Sequence, residues 1–146
     1  MKIYLDNCCF NRPYDAQRQI KIRLETQAKL ALQELVRSGE IELVWSFMLD
    51  FENKRNLNTV KQHEIARWAE HSVEYQLGDS NLLDLAEKFV ALGLKKNDAV
   101  HLACAIQSRC DYFITTDKRI LAKSSKITEI KVINPTDYFI KPEENP

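Results

Sequence analysis

The chain alternates between two hydrophobic periods. KIYLD (2–6) is short, apolar and rich in strand formers, and reads as a buried strand that ends on an acid. Over residues 15–37 the apolar positions Ile20, Leu24, Ala28, Ala31 and Leu35 recur in steps of four and three. That spacing predicts a helix with those residues facing inward, and Ser38-Gly39 ends it. IELVW (41–45) predicts a second strand. Ser46 stands where it can cap a helix running to Lys54, and Thr59 a further helix over 60–70. SVEY (72–75) predicts a third strand. Asp79 or Ser80 caps a helix over 81–92, with Leu82, Leu85, Ala86, Phe89 and Val90 inside and Gly93 after it. Asn97 or Asp98 opens the next helix, to Ser108. YFITT (112–116) predicts a fourth strand, a helix starts near Asp117, and IKVI (130–133) predicts a fifth strand.

Strands separated by helices pair in parallel through right-handed crossovers. The nearly unbroken apolar character of strands one, two and four fits a sheet covered on both faces. The expected fold is therefore an α/β, three-layer α/β/α sandwich with a central, mainly parallel five-stranded sheet. A length of 146 residues suits one core, with 1–140 as the domain and 141–146 as a polar tail.

In such sheets ligands bind beyond the carboxyl ends of the strands. Four acids fall there. Asp6 ends strand one, Glu52 lies in the helix leaving strand two, Asp98 stands at a helix start before strand four, and Asp117 follows strand four. Each has a plain structural role available: strand-end turns favour Asp, and Asp98 and Asp117 suit helix caps. Glu52 suits a solvated face, with Asp50 as a competing acid. His101, one turn after Asp98, reads first as a packed or partner-bonded histidine. Convergence of four acids on one edge is what favours a site.

Composition narrows the chemistry. Lys plus Arg is 21 and Asp plus Glu is 21, so net charge is zero, and nucleic acid would be held by a local patch rather than a basic face. Three glycines cannot build a P-loop or a dinucleotide fingerprint. The four cysteines show no C-x-x-C pair and read as small buried thiols. No segment has the roughly 18 uninterrupted apolar residues of a membrane helix, and the N-terminal apolar stretch breaks at Asp6, so a cytoplasmic location is expected. Clustered carboxylates call for a hard divalent cation, Mg²⁺ or Mn²⁺, and such a site suits a phosphodiester. Basic residues flank the acids: Arg12 after Asp6, Lys54 and Arg55 after Glu52, Lys95 and Lys96 before Asp98, Lys118 and Arg119 after Asp117. Those solvated charges are candidates for the phosphate backbone.

These residues resemble the PIN-domain nucleases. The resemblance lies in KIYLD with Asp6, SFMLDFE with Ser46 and Glu52, DAVHLACA with Asp98, and TTD from Thr115 to Asp117. It implies a Mg²⁺- or Mn²⁺-dependent endoribonuclease acting on single-stranded or structured RNA. Asp6, Glu52, Asp98 and Asp117 would be its metal-holding acids and Thr115 their support. It is similar to toxin ribonucleases of toxin–antitoxin pairs, which implies a homodimer and an antitoxin partner. The alternative is a non-catalytic PIN-like module that binds RNA or protein. A phosphotransfer domain fits poorly, because Asn7 and Cys8 stand where its second acid belongs.

Overall fold

The computed structural model describes residues 1–140; the expected polar tail at 141–146 lies outside them. Five strands, β1 (Lys2–Leu5), β2 (Glu42–Ser46), β3 (Ser72–Gln76), β4 (Tyr112–Ile114) and β5 (Lys131–Ile133), form one sheet in the order β3-β2-β1-β4-β5. All pairings are parallel, with Tyr4 beside Val44 and Leu5 beside Ile114. Helices α1 (Asn7–Asn11), α2 (Ile20–Arg37), α3 (Phe47–Lys54), α4 (Thr59–Ala66), α5 (Ser80–Ala91), α6 (Lys96–Gln107) and α7 (Lys118–Leu121) connect them, completing the α/β/α layers.

β1 occupies the centre. Its consecutive residues Ile3, Tyr4 and Leu5 are all buried, as they must be when helices cover both faces. Phe113 stacks on Tyr4 with centroids 5.6 Å apart, and Trp45 meets Phe10 edge-on at 5.1 Å. These contacts tie β4 and β2 to the elements around β1. β3 lies at an edge and is only half-buried on its inner face.

Several helix starts follow the capping residues expected of them. Ser46 accepts from the Leu49 N–H at 3.1 Å, and Asp79 accepts from the Leu82 N–H at 2.9 Å. Asn58 rather than Thr59 caps α4, through the Lys61 N–H at 3.1 Å. α4 gives way after Ala66 to a 3₁₀ turn over Arg67–His71. Gly39, at φ +82°, closes α2 in the left-handed region that glycine enters freely.

α2 differs from expectation in two ways. It begins at Ile20, because residues 15–19 form a bend and turn in which Gln17 Nε2 donates to Arg12 O and Asp15 O. Its inward face carries Glu25, Ala28, Lys29, Leu32, Gln33 and Val36, while Ile20 and Leu24 are exposed. The stripe is turned by one position because two polar side chains find partners inside. Glu25 pairs with Arg12 at 2.8 Å and with the Asn134 amide, and the Lys29 ammonium lies 5.5 Å from the Phe10 ring centroid. A helix face chosen by apolarity alone misses such pairs.

Candidate functional site

The sheet order delivers three adjacent strand ends, β2, β1 and β4, to one edge. The ladder runs past the strands into the site: the Asp6 N–H donates to Ile114 O at 2.9 Å, and the Thr115 N–H to Ile133 O at 2.9 Å. Asp6 is buried, and each of its carboxylate oxygens accepts a hydrogen bond, with Oδ1 keeping a further lone pair. Oδ1 caps α1 through the Asn7 N–H at 2.8 Å, and Oδ2 accepts the Thr115 hydroxyl at 2.8 Å. Thr115 Oγ1 also accepts the Asp117 N–H at 3.0 Å, so one hydroxyl links two of the acids' chain segments. Asp117 is half-buried and caps α7 through the Arg119 N–H at 2.8 Å. Capping uses only one of its oxygens.

Glu52 enters from α3. Its carboxylate bonds His101 Nε2, and His101 Nε2 lies 3.9 Å from Asp6 Oδ1. One ligand atom each from Asp6, Glu52 and His101 falls within 4.8 Å of the other two. His101 is completely buried. Its Nδ1 meets the Tyr4 hydroxyl at 2.6 Å, and Tyr4 in turn meets Ser46 Oγ at 2.6 Å. Both ring nitrogens are therefore fixed, which locks the ring that orients Glu52. From sequence His101 reads as packed or partner-bonded; it is both, and its partner is Glu52. The signal lay in the three-residue spacing of Asp98 and His101, which sets both on one helix face.

Asp98 caps nothing. α6 starts one residue earlier than expected, at Lys96 with Lys95 as its N-cap residue, so Asp98 sits in the first turn with its side chain available. Its carboxyl is pushed up to about 6, first by burial, then by the charges of Asp6 and Asp117 and by Glu52, with His101 opposing. For His101, burial pulls its pKa down, but the Glu52 hydrogen bond and the charges of Asp6, Glu52 and Asp98 outweigh it, so the net direction is up. The charges of Asp6, Asp117 and Glu52 thus all reach Asp98, while the acids and imidazole whose ligand atoms lie close enough to share one ion are Asp6, Glu52 and His101.

The flanking cations divide. Arg12 is held inside the fold by Glu25 and by Asp15 at 3.0 Å. Lys54, Arg55, Lys95, Lys96, Lys118 and Arg119 are exposed. Arg55 lies 4.5 Å over the Phe51 ring, close to Glu52 along α3. Among the described residues no lysine or arginine forms an ion pair with any of the four acids. Cys9, Cys104 and Cys110 are buried and free, and burial pushes the latter two thiols up to about 12, so they are inert packing groups. Cys8 is only half-buried, 3.5 Å from Asp6 Oδ2.

An all-oxygen acid set beside one imidazole, with no lysine or arginine paired to it, fits a divalent cation. No helix among the described residues is long and apolar enough to cross a membrane. No curated protein matches the chain. The family model of the PIN domain matches residues 3–126, a span that takes in all four acids and every strand but β5. The chain belongs to the PIN-domain family, a family of nucleases.

Proposed function

We propose that the protein is a metal-dependent endoribonuclease that hydrolyses RNA phosphodiester bonds. The observation that carries this reading is the cluster of Asp6, Glu52 and His101 within one ion's reach, close enough to Asp98 and Asp117 for the acids' charges to act on Asp98. Those acids would hold Mg²⁺ or Mn²⁺, which when bound supplies charge neutralisation at the phosphate and an acidified water. The chain's own groups do the positioning. The Thr115 hydroxyl holds the Asp6 carboxylate in one orientation, and the Tyr4–His101 pair holds Glu52. Lys54, Arg55, Lys118 and Arg119 stand in solvent beside the acids and suit backbone phosphates. Arg12 is left out of that set, because its guanidinium is committed to Glu25 and Asp15.

The test is cleavage of single-stranded RNA by the purified protein with Mn²⁺, beside Asp6→Asn and Asp98→Asn. Loss of cleavage in both variants is expected; cleavage that survives both overturns the reading. The likeness to toxin ribonucleases supports a homodimer and a protein inhibitor that covers the acids. Induced expression should then arrest growth with the wild-type chain and not with Asp98→Asn.

A further inference from the structure

Lys29 is a buried charge that the fold leaves without a counter-ion. The residue is 4% exposed, yet among the described residues its ammonium forms no ion pair. Phe10 lends it only a ring face, 5.5 Å to the centroid. The acidic group that acts on it is the Cys9 thiol, which burial keeps neutral and which donates to Ile114 O at 3.3 Å. Glu25, one turn earlier on α2, is buried too, but it has Arg12 and Asn134. An unpaired buried ion is costly, and proteins ordinarily pair such groups. Burial accordingly lowers the Lys29 ammonium to about 8, which still leaves it charged at neutral pH.

Lys29 lines a cavity of about 140 Å³ between α1, α2 and α4. Phe10, Pro13, Leu30, Ile65 and Trp68 give it apolar walls. Lys29 is the cation of the lining and Glu64 its acid. Glu64 is exposed and takes the Tyr14 hydroxyl, and its charge does not act on Lys29. Gln33 also borders the cavity, but its amide nitrogen is sealed off. The Lys29 nitrogen is not sealed. We propose that this cavity binds a small monocarboxylate with a compact apolar body, whose carboxylate pairs with Lys29. The ammonium gives the carboxylate a charged hydrogen bond, and the apolar side chains take the body out of water. A cavity of about 150 Å³ accommodates a benzene ring, so a single ring sets the size. One cation balances one charge. A second anionic group, as on a phosphate monoester or a dicarboxylate, would meet hydrocarbon or Glu64 instead.

The experiment titrates the whole protein with benzoate and with benzyl alcohol by calorimetry at pH 7. The two probes share a ring and differ in the charge. EDTA is present throughout, so that a carboxylate finds no metal among the acids, none of which lines this cavity. The expected result is saturable binding of benzoate, at least about tenfold tighter than benzyl alcohol, as a charged hydrogen bond in a buried setting gives. The fluorescence of Trp68, which lines the cavity, should change along the same curve. Lys29→Met should bring the benzoate-to-benzyl alcohol ratio to one; it removes an unpaired charge, so the variant keeps the fold, and its melting temperature is measured beside the wild type. Arg67→Ala should leave the ratio unchanged, because Arg67 is an exposed cation of the neighbouring cleft that shares Trp68 but does not line this cavity. No saturable binding of benzoate at millimolar concentration, equal affinities for the two probes, or a ratio that survives Lys29→Met overturns the site. A ratio lost in Arg67→Ala does so too, since it moves the anion to the neighbouring cleft.

Discussion

Asp98→Asn should stabilise the metal-free protein. In most proteins, loss of a half-buried carboxylate costs stability. Here the carboxyl is raised from 3.8 to about 6, so above that pH the folded chain carries a charge that burial and its acidic neighbours oppose. At about 1.36 kcal/mol per unit, the rise sets a ceiling of ~3 kcal/mol. Partial exposure screens that figure, and the first turn of α6 returns roughly 0.3–1 kcal/mol to an anion through the helix dipole. A gain of ~1 kcal/mol for the variant at pH 7.5 remains. The sign follows from proton binding. A raised folded pKa means the folded state binds more protons than the unfolded one between 3.8 and about 6, so stability falls as pH rises through that window. Below pH 4 both forms are neutral and the difference should close. The assay is urea unfolding of both proteins in EDTA at pH 4 and pH 7.5, repeated with millimolar Mn²⁺. The ion should stabilise the wild type more than the variant, because it binds the folded state and Asp98 helps hold it. A variant less stable than wild type in EDTA at pH 7.5, or an equal gain at both pH values, would refute the argument.

Four further outcomes are expected. Because the folded-state pKa of Asp98 is raised to about 6 and that of His101 is raised above 6.5, the metal-free protein should lose stability between pH 4 and 6 through Asp98 and again above pH 6.5 through His101, read from urea midpoints; a rise in both windows contradicts the site's charge balance. Tyr4→Phe strips a partner from both His101 Nδ1 and Ser46 and should cost ~1–3 kcal/mol by urea unfolding. Glu25→Ala leaves Arg12 and Asn134 without their buried acceptor and should cost ~3 kcal/mol in the same assay, unlike exposed Arg55→Ala, which should weaken RNA binding instead. Lys29→Met should stabilise the protein by ~1–2 kcal/mol at pH 7, since burial lowers that ammonium to about 8; the advantage should vanish by pH 11, where the wild-type lysine is neutral in both states.

The sequence was most informative where local rules and the global fold agree. The central strand KIYLD, the caps Ser46 and Asp79 and the parallel order of strands follow from period and capping chemistry, and the structure keeps them. It was least informative where a polar side chain is satisfied from a distance. Glu25 finds Asn134, 109 residues away, and no helical periodicity can foresee that. The same distance hides the support of Asp6 by Thr115, although TTD hinted that a hydroxyl would stand near. Asp98 looked like a cap because it is a good one by type. The helix begins at Lys96, so backbone geometry, not residue preference, released the carboxylate. His101 was legible as bonded, but only the fold of α3 against α6 names Glu52 as its partner.

The hydrogen bond between Asp6 and Thr115 spans nearly the whole interval between the first acid and the last. The neighbour of β1, β4, and the hydroxyl that fixes its acid come more than a hundred residues later in the chain. During synthesis, and in any fragment ended before Asp117, the chain holds the early acids without the strand that aligns them. Alignment of Asp6 by Thr115 therefore waits on β4. Whatever parts β4 from β1 takes the Thr115 hydroxyl away from Asp6 as well.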